Sequence, residues 1–442
     1  MGVLTLVLQL LILFGAIFLG ARLGGIAIGF AGGIGVLLLG ATGLKTDWQD
    51  YIPFDVVGII LSVIGAIAAM QVAGGIDFLV GWADRMLRKR PQSLTIVAPL
   101  ITYLMTVLAG TGHTAFSTLP VIAEVAKENN IRPSRPLAIS VVSSQIAVTA
   151  SPVSAAVAYL AGALEDGQVG IGYLQLLAVS IPASLAAVLV AALIVNWLDR
   201  TPLDQDPEYL KRRAEGRVVM RGATAIELKP KAKASVAVFI TAVGLVMLYA
   251  VVTSDRLSLI QQPAIDHTSA IIAIMLATAA VIVVMAKIDP AEILNAPTFK
   301  AGMSAAICVL GVAWLGTVFI QGHMADITAL AGDVLRAQPW LLAVVLFLAA
   351  TLLYSQAATA KAIMPIAFSV GLSPLSIVAS FAAASALFVL PTYPTLIAAV
   401  EMDDTGSTRI GKYVFDHPFL APGLLTVGLA VAFGFGLGSL IL

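Results

Sequence analysis

Apolar residues arrive along this chain in long unbroken runs. They do not alternate as in a half-buried strand, nor keep the three-four spacing of a surface helix. The runs predict membrane-spanning helices over roughly 3–20, 24–41, 55–73, 94–109, 137–163, 173–198, 234–253, 268–286, 300–320, 339–354, 374–400 and 418–441. Polar residues, in all but the third case with glycine or proline, interrupt or border the apolar stretches at four places: G-T-G-H-T (110–114), T-A-S-P-V-S (149–154), S-Q-A-A-T-A-K (355–361) and P-T-Y-P-T (391–395). Proline removes a backbone donor and clashes with the preceding turn, so these are expected to be broken helices or hairpin tips.

Composition supports the pattern. Of 442 residues, 59% are hydrophobic and 11% are charged, whereas a soluble domain carries about 25% charged residues. The chain reads as an all-α polytopic membrane protein embedded in a lipid bilayer, which excludes a soluble enzyme and an outer-membrane barrel. Lys plus Arg and Asp plus Glu number 25 each, so no basic field invites nucleic acid. The single Cys308 offers no disulfide or metal framework. No H-E-x-x-H, phosphate loop or Cys/His cluster points to a metal, a cofactor or ATP hydrolysis. The glycine-rich 29–35 lies inside an apolar run and predicts close helix packing. The N-terminal run has no basic lead and continues to Leu19, so it is read as a first span, with a cleaved signal peptide as the lesser alternative.

Charge then sets the topology. The hydrophilic segment 199–233 holds nine basic and six acidic residues and is expected to be a solvated cytoplasmic linker. The clusters Arg85, Arg88, Lys89, Arg90 and Lys127, Arg132, Arg135 belong on the same side. The chain between them must therefore enter the membrane and return, as a re-entrant hairpin near 94–126 with its tip at 110–114. Non-helical backbone at that depth is tolerated only where protein or a water-filled cavity surrounds it. The acidic segments 43–55, 164–172 and 254–267 fall on the opposite, periplasmic side with both termini, and 401–417 falls inside.

An offset near 245 residues relates the two halves. G-T-G-H-T-A-F-S-T-L-P pairs with S-Q-A-A-T-A-K-A-I-M-P, bringing Pro120 onto Pro365 and Thr114 onto Thr359. T-A-S-P-V-S pairs with P-T-Y-P-T, and D-R-M-L-R-K-R-P (84–91) with D-V-L-R-A-Q-P (333–339). The charge-derived topology makes these inverted repeats, 1–198 and 234–442, the second with a hairpin near 339–371 and a broken helix at 374–400. That is the design of secondary transporters with a midplane site.

The candidate site residues are Gly110, Thr111, Gly112, His113, Thr114, Thr149, Ser151, Pro152 and Ser154 from the first half. Ser355, Gln356, Thr359, Lys361, Thr392, Tyr393 and Thr395 come from the second. Ser143, Ser144 and Gln145 lie beside them in sequence. Fresh helix N-termini present free N–H groups and a positive dipole end, which suits carboxylates. Each hydroxyl has a second reading, satisfaction of its own helix backbone. A lysine at the bilayer centre costs roughly 2.5–3.5 kcal/mol on insertion scales, so Lys361 is expected to face an anion or a wet cavity, or else to snorkel. His113 is either a donor or proton carrier, or a packing residue. Asp77, Asp326 and Arg22 read as interfacial charges.

Longer strings carry a family resemblance. G-T-G-H-T-A-F-S-T-L-P, I-R-P-S-R-P, S-S-Q-I-A-V-T-A-S-P-V-S-A-A-V, L-P-T-Y-P-T and M-D-D-T-G-S-T-R-I-G-K-Y-V-F-D-H-P-F resemble the anaerobic C4-dicarboxylate transporter (Dcu) family, in its fumarate–succinate exchanger branch. The resemblance implies antiport of fumarate, succinate, malate and aspartate across the bacterial inner membrane, and membership of the ion-transporter superfamily. It also implies a homodimer, hairpin tips at Gly110–Thr114 and Ser355–Thr359, broken-helix motifs at Thr149–Ser154 and Pro391–Thr395, and a possible sensor-kinase partner. T-A-S-P and P-T-Y-P-T stand where other branches carry a sodium-site Ser-Asn-Thr pattern. A proton- or sodium-coupled symporter of another small organic anion is the alternative.

Overall fold

The computed structural model describes residues 3–23, 26–52, 54–166, 171–198, 200–219, 228–253, 260, 264–391, 393–413 and 415–442. Unpaired backbone groups are too costly in lipid for anything but helices or closed barrels, and among the described residues every named element is helical. In chain order, α1 (Val3–Leu23) and α2 (Ala27–Ala41) pack as a pair, followed by one turn, α3 (Trp48–Tyr51). Helix α4 (Phe54–Val72) bends by 74° into the amphipathic α5 (Gly75–Lys89). Next come α6 (Leu94–Ala109) and α7 (Ala115–Glu128), the first hairpin. Helix α8 (Ser134–Ile146) tightens into a 3-10 turn, breaks at 151–154 and resumes as α9 (Ala155–Asp166). Then α10 (Tyr173–Leu198) and the short α11 (Pro207–Ala214) lead into the second half.

There α12 (Ala232–Val252), α13 (His267–Ala286) and α14 (Pro290–Asn295) precede α15 (Pro297–Cys308). A π-helical segment, Val309–Ala313, joins α15 to α16 (Trp314–Gly322). The amphipathic α17 (Met324–Ala337) comes next, then the second hairpin, α18 (Leu341–Leu353) and α19 (Gln356–Ser369). The second broken helix is α20 (Pro374–Ser380) with a 3-10 extension to Ser385, a gap, and α21 (Pro394–Met402); α22 (Leu420–Ile441) ends the chain. Among the described residues seven helices are long and apolar enough to cross a membrane, and up to eight if the bent α4–α5 pair counts as one span.

The hairpin helices are short, although α6 extended by its 3-10 lead-in from Pro91 is one of those seven. At ~1.5 Å per residue, α6, α7, α18 and α19 extend only about 20–24 Å against a hydrocarbon core of about 30 Å. The chain reverses after the apolar runs at 94–109 and 339–354, and hydrophobicity alone does not register such a reversal. Helices α5 and α17 were invisible to apolar run length. Their charges, such as Asp84, Arg85, Arg88 and Lys89 in α5, occupy one face of an otherwise apolar helix.

The elements recur in the same order in both halves: a bent or interrupted helix, an amphipathic helix, a hairpin, a broken helix and a long helix. Packing repeats as well. Helix α7 lies on α21 while α19 lies on α9, and the 3-10 ends of α8 and α20 touch. Helices α10 and α22 pack antiparallel: Val179, near the start of α10, approaches Gly438 near the end of α22, and Ala191 and Ala192 sit with Leu425 and Leu429. Arg88 on α5 pairs with Asp84 and Glu128, at the end of the first hairpin; Arg336 on α17 donates from Nε to Val370 O (3.1 Å), just past the end of the second. The glycine-rich α2 packs as the sequence predicts. A Cβ at Gly29 would lie 2.3 Å from Ile307 O, and one at Gly311 2.0 Å from Gly29 O, so two backbones touch at the π segment.

Most of 200–219, within the expected linker, is exposed, yet Leu203, Asp206 and Tyr209 are buried and anchor it. Residues 200–219 fold onto the turn after α7 and the loop after α21. Leu203 N donates to Asn130 O (3.0 Å) and Asp204 N to Asn130 Oδ1 (2.9 Å). Asp206 caps α11, pairs with Arg132 at 2.9 Å and lies 3.7 Å from Arg409. Buried Lys127 meets Glu124 (2.9 Å) and Asp404 (3.0 Å) and donates to Val219 O. Asp403 accepts from Ser407 Oγ (2.9 Å) and Thr408 N (2.7 Å). Composition reads as a linker here because the partners lie more than seventy residues away. The contacts also put 127–134, 200–219 and 403–409 on one face of the molecule.

Candidate functional site

Both hairpin tips are built alike. Helix α6 ends on Gly110 with φ +71°, whose N–H returns to Thr106 O at 2.8 Å; α18 ends on Tyr354 with φ +54°, whose N–H returns to Ala350 O at 3.1 Å. The next residue in each case is extended and caps the helical turn after it. Thr111 Oγ1 accepts from His113 N (3.4 Å), and Ser355 Oγ accepts from Ala358 N (3.2 Å). At Gly110 only glycine fits, since a Cβ there would lie 2.8 Å from Val153 O in the break between α8 and α9.

The tips open on one cavity of about 340 Å³. Gly110, Thr111, Gly112 and His113 line it from the first tip, Tyr354, Ser355, Gln356 and Ala357 from the second, and Tyr393 and Pro394 from the second break. Val153, Ala155 and Ala156 contribute the first break and the start of α9. The opposite wall is mostly apolar, with Ile59, Ile60, Val63 and Ile64 of α4, Ile28 of α2, and Ser304 and Cys308 of α15. The N-terminal ends of α9, α19 and α21, and the first-tip turn leading into α7, thus border a single space. Helix N-termini present unpaired N–H groups and a positive dipole end. No Asp, Glu, Lys or Arg is among the described lining residues. The site can bind a small anion by oriented dipoles and uncharged donors, in the size range of small-molecule sites.

Four aromatic rings form a stack along the lining. Phe116 lies on His113 (centroids 5.7 Å, 3° between planes), His113 on Tyr393 (6.4 Å, 13°) and Tyr393 on Tyr354 (6.1 Å, 19°). The halves are also joined by hydrogen bonds: Gln356 Nε2 donates to Gln145 O (2.9 Å), and Gln145 Nε2 reaches Thr395 Oγ1 (3.5 Å).

The remaining candidates stand behind this surface. Thr114 is buried, 3.0 Å from Thr106 Oγ1, and donates to Thr111 O (3.1 Å). Thr149 and Thr359 donate to backbone carbonyls one turn back, Ile146 O (2.8 Å) and Ser355 O (2.7 Å). Ser151 Oγ donates to Val107 O (2.6 Å), tying break to hairpin. Ser154 Oγ donates to Val148 O (2.7 Å) and accepts from Val157 N (3.2 Å), capping α9; Pro152 O accepts from Tyr173 OH. Lys361 does not line the cavity; its Nζ lies 5.8 Å from the Tyr159 ring centroid on α9. Thr392 lies outside the described residues. Tyr354, Phe116, Ser304 and Cys308 line the cavity yet do not stand out in the sequence. The repeat offset sets Ser355, not Tyr354, against Gly110, so it does not signal the first of them.

Comparison with known proteins agrees with this architecture. The chain matches the family model described as anaerobic C4-dicarboxylate membrane transporter over residues 5–442. It is 56% identical over 438 residues to "C4-dicarboxylate transporter DcuA" of Wolinella succinogenes, covering 99% of this chain and 100% of that one. It is 37% identical over 437 residues to "Anaerobic C4-dicarboxylate transporter DcuB" of Escherichia coli, covering 97% of each. The crystal structure of the Alcanivorax borkumensis YdaH transporter shares the fold at a TM-score of 0.52 and 18% identity, covering 89% of this chain and 86% of that one. With helices to cross the bilayer, paired hairpins and a shared anion-sized cavity, the chain belongs to the anaerobic C4-dicarboxylate membrane transporter family.

Proposed function

We propose that this protein is an alternating-access antiporter that exchanges C4-dicarboxylates, namely fumarate, succinate, malate and aspartate, across the bacterial inner membrane. The observation that carries this reading is the convergence of helix N-terminal ends from both halves on one cavity whose described lining has no carboxylate. A diacid needs a donor set at each end, and two inverted repeats, 1–198 and 234–442, supply one each. Removing a dianion from water is expensive, and fixed N–H dipoles with Thr111, Ser355 and Gln356 replace the lost hydration. The relatives named as C4-dicarboxylate transporters support the substrate class. The face bearing 127–134, 200–219 and 403–409 is the cytoplasmic one, rich in basic residues, and both termini are periplasmic.

Counterflow in liposomes tests the proposal. Succinate loaded inside should accelerate entry of labelled fumarate. Equal entry into empty vesicles, rising with an imposed sodium or proton gradient, would replace exchange by symport.

A further inference from the structure

Tyr354 breaks the equivalence of the two tips. It occupies the left-handed backbone conformation that its counterpart Gly110 fills without a side chain. That conformation disfavours any residue with a Cβ, and a ring at such a place is costly unless the surroundings hold it for a reason. The ring is partly buried against the core. It lines the cavity and stacks on Tyr393, the residue before the first turn of α21. At the first tip no side chain could be carried, because the Val153 carbonyl stands in its way. At the position of Gly110 the first tip is thus bare backbone, whereas the equivalent position of the second tip carries an aromatic face.

Resting on the exchanger reading above, we propose that Tyr354 is the specificity-determining residue that sets the length of the diacid accepted. Its ring occupies volume that a glycine would leave open. The N–H groups at the two tips then fit carboxylates separated by a short carbon chain, and a longer diacid must push against a ring clamped by Tyr393. The flat apolar face also suits the hydrocarbon middle of such a substrate.

The test is inhibition of labelled succinate exchange by unlabelled succinate and glutarate, on full-length protein in liposomes. Wild type should discriminate against glutarate by about tenfold or more, the scale of one misplaced group in a tight site. Tyr354→Gly, which fits the backbone better, should lose about tenfold of that discrimination. Tyr354→Asn, small and tolerant of the same conformation, should behave similarly if the glycine variant fails to fold. Tyr354→Phe should keep the wild-type ratio. An unchanged succinate-to-glutarate ratio in the glycine and asparagine variants, with reduced thermal stability, would make the ring a packing element and overturn the proposal. Absence of succinate exchange in wild type would overturn the exchanger reading and this assignment with it.

Discussion

Gly110→Ala tests whether the first tip and the first break form one rigid rim. Two costs add. A side chain in the left-handed conformation costs about 1–2 kcal/mol. The new Cβ would also stand 2.8 Å from Val153 O and 3.0 Å from its carbonyl carbon. The neighbouring backbone cannot drift away freely, because Ser151 Oγ is bonded to Val107 O at 2.6 Å and Tyr173 OH to Pro152 O. Overpacking of that kind adds about 1–3 kcal/mol. Gly371→Ala is the control, with φ +73° and nothing within 4 Å of the added Cβ, so it carries only the first cost. Thermal unfolding in detergent should rank wild type above Gly371→Ala and Gly371→Ala above Gly110→Ala. Succinate exchange should fall by at least about tenfold in Gly110→Ala alone, since small displacements at a binding rim are amplified in rate. If the two variants match in both stability and exchange, the tip does not bear on the break and the rim is not a unit.

Other expectations rest on single contacts. Ser355→Ala removes the cap on α19 and should cost about 1 kcal/mol while raising the succinate concentration for half-maximal exchange; Ser355→Thr should restore most of both, and a change in stability alone would confine Ser355 to capping. Lys127→Ala leaves Glu124 and Asp404 without their cation; with Lys127 4% exposed but Asp404 27% exposed, the loss in a thermal melt should be about 1–3 kcal/mol, partly recovered when Asp404→Ala is added. Asp266 caps α13, and hydrogen bonds from Ser269 hold its carboxyl below the ordinary 3.8. Its contribution is full above that value and is lost as pH falls past it, so Asp266→Asn should flatten the acid side of a stability–pH profile and leave the neutral region nearly unchanged.

Much of this architecture can be read from the chain because the bilayer enforces it. Apolar runs locate the long helices, and the basic clusters at 85–90 and 127–135 require the intervening hairpin to return, as α6 and α7 do. Thr111 and Ser355 occupy equivalent caps, one residue out of the register inferred from Pro120 and Pro365, because the tips differ locally. Chemistry is harder to read. Ser151, Ser154, Thr149 and Thr359 have the residue types of a binding site yet bond to backbone carbonyls. A hydroxyl beside a proline break serves the freed backbone as readily as a ligand, and sequence does not distinguish the two. Lys361 draws attention as a charge in an apolar stretch, while its helical position turns it toward Tyr159. The apolar wall of α4 and α15 carries no motif, being made of residues common throughout the chain.

The ionic assembly around Lys127, Asp206 and Asp404 has a consequence for the energetics of the proposed cycle. In a pseudo-symmetric carrier, the two halves trade roles when the opening changes sides, and matched halves would leave the two orientations nearly equal in energy. At the base of the second hairpin Arg336, which stands as Arg88 does in the first half, bonds to Val370 O. The charged contacts gathered at the base of the first hairpin, which also draw in Asp404 of the second half, therefore weight the balance between orientations, and dissolved salt becomes a means of tilting it from one face alone.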